Sequence, residues 1–124
     1  MTDKRHILLV EDDEFLAELY ATKLNLEGFE VSLASDGEKG LKLIKEKNPD
    51  LVLLDIIMPK MDGFEVLKQI KADKKTKSIP VILLTNLSQK DEVKKGLELG
   101  AVDYLIKAHF MPSEVVKKIK SALA

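Results

Sequence analysis

The chain has 124 residues, no cysteine, 20 basic against 21 acidic residues and a formal net charge of -1. That length suits one domain with a real core. The missing cysteines exclude disulfides and thiolate metal sites, and the balanced charge removes any general pull toward nucleic acid or anionic membrane. The densest basic stretch, Lys74-Lys75 with Lys77, reads as a solvated helix end and loop. The residues from Met1 to Arg5 lead into a strand-length apolar run, which reads as too short for a signal-peptide core, and no apolar run approaches a membrane span. A cytoplasmic protein without membrane insertion or direct nucleic-acid binding is therefore expected.

Strand and helix patterns alternate along the chain. The first strand is expected over 5–10. It is followed by a helix carrying Phe15, Leu16, Leu19, Tyr20, Leu24 and Leu26 and stopped by Gly28. A second strand over 30–34 leads to Ser35-Asp36-Gly37-Glu38, which reads as a capping box with Ser35 as N-cap. The helix it opens carries Leu41, Leu43 and Ile44 and ends before Asn48-Pro49. The third strand spans 51–54, and a third helix begins near Gly63 with Phe64, Val66, Leu67 and Ile70 inward. A fourth strand over 81–84 precedes a helix from Ser88 to Gly100. The fifth strand covers 103–106, and the last helix starts near Pro112-Ser113. Strands one and three are almost continuously apolar, as expected of strands covered on both faces. A βα alternation with short links implies an α/β fold with a doubly wound parallel sheet. The whole chain, 1–124, reads as one domain.

Four apolar runs each end in a polar residue of different chemistry: Glu11-Asp12-Asp13, Asp55, Thr85 and Lys107. In a parallel sheet those ends share one edge, the edge where open α/β sheets bind ligands. Strands one and three are neighbours in such a sheet, so Glu11, Asp12 and Asp55 should crowd together and raise one another's pKa. A hard divalent cation relieves that repulsion, and Mg²⁺ suits oxygen ligands with coordination left for a phosphoryl group. Asp12 has the reach for direct ligation, and Glu11 for contact through water. Asp55 is then the candidate nucleophile for phosphorus. Thr85 can donate its hydroxyl to a phosphoryl oxygen, and Lys107 can supply a cation, since phosphoryl transfer needs positioning and charge neutralisation. Taken singly, each has a plainer role: a strand-end Thr, a solvated Lys, an N-capping Asp such as Asp13. Their combination in order at matching strand ends favours the chemical reading.

These residues resemble the receiver domain of bacterial two-component response regulators. The similarity is carried by Val10-Glu11-Asp12-Asp13, Asp55, Met58-Pro59-x-Met61-Asp62-Gly63, Thr85 and Tyr104-x-x-Lys107, and it covers essentially the whole chain. The resemblance implies a flavodoxin-like receiver fold: a five-stranded sheet of order 2-1-3-4-5 with five flanking helices. It implies Asp55 as phosphoacceptor, Glu11 and Asp12 as the acidic metal pair, and the Ile57 backbone carbonyl as a further Mg²⁺ ligand. Thr85 would be the switch hydroxyl, Tyr104 the switch aromatic and Lys107 the phosphate-binding cation. The donor would be a phosphohistidine on a sensor histidine kinase or a phosphotransfer protein, and the output a changed preference for a downstream protein. Three positions depart from the family's habit: Asn86 where a small residue is usual, Ala108 where a cis proline is usual, and Glu11 in place of an aspartate. A cis bond before alanine costs about 2.5–4 kcal/mol, so a trans Lys107–Ala108 peptide is expected. Ile57 and Leu87 are apolar where a water would approach the aspartyl phosphate, so slow hydrolysis is expected.

Other functions fit less well. A flavodoxin-like flavin or nucleotide binder needs backbone N–H and hydroxyl donors after strand one, where this chain has three acids. An aspartate-based phosphohydrolase would usually carry a second acid at position 57, which is Ile57. A degenerate receiver that only binds partners would not need the full set Glu11, Asp12, Asp55, Thr85 and Lys107. With no output segment after the last helix, the sequence reads as a free-standing receiver or an excised one.

Overall fold

The computed structural model describes residues 4–58, 61–85, 90–107 and 112–124. The elements are β1 (His6–Val10), α1 (Glu14–Leu26), β2 (Glu30–Ala34), α2 (Gly37–Lys47), β3 (Leu51–Asp55), α3 (Gly63–Ala72), β4 (Val81–Thr85), α4 (Lys90–Glu98), β5 (Asp103–Ile106) and α5 (Pro112–Leu123). All strand pairings are parallel, and the sheet order is β2-β1-β3-β4-β5. The expected architecture is therefore the observed one. The strands end one residue later than expected at Asp55 and Thr85, so both are the last ladder residues of their strands.

Alternation along each strand feeds two apolar layers. Leu8, Val10, Val52, Leu54, Val81 and Leu83 pack with Leu41 and Ile44 of α2 and Val66, Leu67 and Ile70 of α3. Ile7, Leu9, Leu51, Leu53, Ile82 and Leu84 pack with Ala17, Tyr20 and Leu24 of α1 and with Val115, Val116 and Ile119 of α5. Every residue of β3 and β4 is buried, which accounts for their unbroken hydrophobic runs. In α1 the expected apolar face is narrower than the sequence suggested. Phe15 and Leu26 point to solvent, 79% and 75% exposed, because the helical period puts them on the side of α1 opposite the stripe set by Ala17, Tyr20 and Leu24.

Helix starts use aspartates. Asp13, Asp36 and Asp62 accept hydrogen bonds from Leu16 N (3.1 Å), Lys39 N (2.9 Å) and Glu65 N (3.0 Å). The expected Ser35 cap is thus corrected by one residue: Asp36 is the N-cap, and the Ser35 hydroxyl instead accepts from Lys39 Nζ at 3.2 Å. Gly28 and Gly100 close α1 and α4 at φ +93 and +114, where only glycine is at ease. The Ser88 cap and the Lys107–Ala108 peptide lie outside the described residues.

Gly63 bears directly on the site. Its N–H donates to Ile56 O at 2.8 Å, and a Cβ there would press on the carbonyl oxygen of Asp55 and come within 2.8 Å of Ile56 Cα. Both neighbours are backbone and cannot swing aside. Gly63→Ala should therefore destabilise the fold by about 1–3 kcal/mol despite alanine's better helix propensity. Urea unfolding measures this, and an unchanged midpoint would show that the Asp55–Ile56 segment yields freely.

Candidate functional site

Register brings the strand ends together. Val10 pairs with Leu54, so the next residues, Glu11 and Asp55, leave the sheet side by side. Asp55 pairs with Leu84, and Thr85 with Ile106, which puts Thr85 and Lys107 at the same edge. Glu11 is held there by its N–H, which donates to Ala34 O at 3.0 Å. Glu11, Asp55 and Thr85 are 3%, 3% and 1% exposed, while Asp12 faces solvent. One oxygen from each of Glu11, Asp12 and Asp55 lies within 4.8 Å of the others.

Lys107 Nζ reaches across the edge to both buried acids. It lies 2.9 Å from Asp55 Oδ2, 3.0 Å from Glu11 Oε2 and 3.2 Å from Glu11 Oε1. Burial pushes the Glu11 carboxyl up to about 7, and the charge of Asp55 adds to the rise, against the opposing pull of Lys107. Burial likewise raises Asp55, again opposed by Lys107. Repulsion between acids was the expected cause; desolvation comes first because both carboxylates sit within the sheet's apolar frame. Burial pulls Lys107 down, but its bonds to Asp55 and Glu11 outweigh this and leave it above its ordinary value.

The donor set suits a hard cation. Three carboxylates converge, two are buried, and one ammonium cannot neutralise both buried charges and Asp12 as well. Receiver domains use Mg²⁺ at such an acidic site. Ile57 stands two residues beyond Asp55 in the bend after β3, its side chain 60% exposed. Leu87 and Asn86 lie outside the described residues. Tyr104 is half-buried on β5 and packs against the α2–α3 layer. Tyr20, expected on the apolar face of α1, also bears on the site. It is 1% exposed, and its hydroxyl is raised by burial and then by Glu11 and Asp55, so it lies beneath the carboxylates. One polar atom on the apolar stripe of α1 was the available signal.

A doubly wound parallel sheet with buried acids at the carboxyl ends of two central strands and a lysine reaching them from the end of β5 is the architecture of an α/β signalling module. The family profile of the response regulator receiver domain matches residues 7–120, and the chain belongs to that family. Such domains are phosphorylation-dependent signalling modules that work with histidine kinases. A probable transcriptional regulator, ycf27, of Porphyridium aerugineum is 39% identical over 120 residues, covering 97% of this chain and 48% of that protein. The DNA-binding response regulator MtrA of Mycolicibacterium smegmatis is 38% identical over 122 residues, 98% of this chain and 52% of that protein. The chain thus spans about half the length of the curated relatives it matches. The expectation of no direct nucleic-acid binding conflicts with these two relatives, which are by name a transcriptional regulator and a DNA-binding regulator. Among solved structures, a putative response regulator from Chloroflexus aurantiacus superposes with TM-score 0.93 at 34% identity, covering 98% of both chains. The chemotaxis protein CheY4 of Vibrio cholerae gives 0.91 at 27%, covering 98% of this chain and 100% of that one. Among the described residues, no helix is long and apolar enough to cross a membrane.

The raised Glu11 carboxyl sets a pH dependence. Its folded value, about 7, exceeds the ordinary 4.5, and Asp55 shifts the same way. The folded protein therefore holds more protons than the unfolded chain between those values. The associated stability is full below about 4.5 and is lost as pH rises through about 7. In metal-free buffer the melting temperature should fall between about pH 5 and about pH 8, and Glu11→Gln should flatten that fall. A melting temperature that climbs across this window contradicts the assignment.

Proposed function

We propose that residues 1–124 form one receiver domain that accepts a phosphoryl group on Asp55 from the phosphohistidine of a sensor histidine kinase or phosphotransfer protein. A carboxylate oxygen of Asp55 attacks phosphorus, the P–N bond breaks, and the imidazole leaves with its electron pair and takes up a proton. The observation that carries this reading is the 2.9 Å ion pair between Lys107 and a buried Asp55 that also belongs to a three-carboxylate cluster. Lys107 would follow the charge as it moves from carboxylate to phosphoryl oxygens. Thr85, at the end of the neighbouring strand, would donate its hydroxyl to one of those oxygens. Glu11, Asp12, Asp55 and the Ile57 carbonyl would hold Mg²⁺, which when bound neutralises phosphoryl charge.

Phosphorylation would shift the population of a Thr85–Tyr104 switch and with it the affinity for a downstream protein. Supply of phosphoryl groups from a histidine kinase implies a cytoplasmic setting. The flavin-binding alternative is disfavoured by the acids after β1, which would repel a ligand phosphate without metal.

With acetyl phosphate and Mg²⁺, the intact mass should rise by one phosphoryl group. Asp55→Asn should lower that labelling by at least about a hundredfold, since an amide cannot act as the nucleophile. Labelling at the parent rate in the variant would overturn the assignment.

Asp12→Ala should weaken Mg²⁺ binding by at least about tenfold, and more than Glu11→Gln does. The reason is that Asp12 is exposed and has no ion pair with Lys107 among the described residues, whereas Glu11 already has one. Mg²⁺ should raise the melting temperature of the parent, by about 1.4 kcal/mol of stability at tenfold over Kd. Thermal melts across a Mg²⁺ titration read both effects. Equal losses in the two variants would sink the ranking.

A further inference from the structure

β5 is an edge strand, and that decides what can touch Tyr104. Asp103 and Tyr104 are successive strand residues, so their side chains point to opposite faces. Tyr104 packs with Leu83 and the α2–α3 layer, whereas α5 packs on the other layer through Val115, Val116 and Ile119. In the middle of a sheet no α5 side chain could meet Tyr104. At the edge, a long one can pass around the strand.

Lys118 does so. Its Nζ lies 3.0 Å from Asp103 Oδ1 and 5.2 Å from the centroid of the Tyr104 ring. The same Asp103 oxygen accepts the Tyr104 backbone N–H at 2.8 Å. Backbone, carboxylate, ammonium and ring therefore form a closed circuit around one residue. The next residue of α5, Ile119, is fully buried, so the base of the lysine is anchored while its head is free to choose a partner. Thr85 pairs with Ile106, two residues beyond Tyr104 on the same strand, so the ring lies one pleat from Thr85.

We propose that Lys118 is a positioning residue for the switch: tied to Asp103, its ammonium holds the Tyr104 ring at the sheet edge, and the ring must leave that cation when Asp55 is phosphorylated. This rests on the reading of Tyr104 as the aromatic that responds to Asp55. A contact made in only one of two states biases their equilibrium by its own free energy. An exposed cation–π contact corresponds to about a two- to fivefold bias toward the unphosphorylated arrangement.

The chain's fluorescence makes this measurable. It has no tryptophan and two tyrosines, and Tyr20 is 1% exposed, so acrylamide-quenchable emission reports Tyr104. Beryllofluoride with Mg²⁺ serves as the phosphoryl probe, its binding followed independently by ¹⁹F NMR. In the parent, quenching should change as beryllofluoride saturates. Lys118→Met keeps the stem and loses the charge. It should alter quenching before any beryllofluoride is added and lower the half-saturating concentration about two- to fivefold. Lys118→Arg should restore the parent value. If the parent ring responds but Lys118→Met matches it in both quenching and half-saturation, the role of Lys118 is overturned and the switch reading stands. If beryllofluoride binds and the parent ring does not respond, the switch reading falls and this inference with it.

Discussion

Two carboxylates of this domain are buried at the end of an apolar sheet, and one lysine ammonium lies against both. Glu11 and Asp55 would each be costly alone in that setting. Lys107 reaches them at 3.0 and 2.9 Å and offsets part of the cost. The offset is incomplete, because Glu11 still titrates near 7. The site is therefore built to gain from further positive charge and from a chemical change at Asp55. A surface cluster of the same composition would be screened by water and would gain little from either.

The rest of the fold keeps that arrangement rigid. Strands β1, β3 and β4 are buried on both faces, and their register leaves no freedom in where Glu11, Asp55 and Thr85 emerge. Behind Asp55, the first turn of α3 comes so close that only glycine fits at position 63. Asp62, just before it, caps the same helix. A similar close approach occurs on the opposite flank of α3, where Gly96 of α4 lies against Leu83 and Phe64 and the neighbouring Lys95 lies 4.6 Å from the Phe64 ring centroid. Thus the helix that backs the Asp55–Ile56 segment is itself backed by α4.

Membership of the receiver family explains why so small a domain carries so much buried charge. The chain matches relatives about twice its length, and two of them are regulators named for transcription or DNA binding. The edge strand β5 is touched from both layers, by Tyr104 packing on one and by Lys118 from the other.

The sequence by itself determined the order and type of the elements, because short strand-length runs, nearly all apolar in β1, β3 and β4, alternate with helical stripes, three of which are ended by glycine or asparagine. It also determined the chemical identity of Asp55, Glu11, Asp12, Thr85 and Lys107, because a polar residue closing an apolar strand is conspicuous. Small errors came where neighbouring residues compete for one role. Ser35 and Asp36 can both cap α2, and the backbone selected Asp36, whose carboxylate accepts from Lys39 N. Phe15 is apolar, yet it stands on the side of α1 away from Ala17, Tyr20 and Leu24 and so faces solvent. Only the tertiary structure decided that burial outranks repulsion at Glu11, that Tyr20 lies beneath the acids, and that Lys118 closes on Tyr104. Each of these depends on distance between segments far apart in the chain, and periodicity carries no information about that.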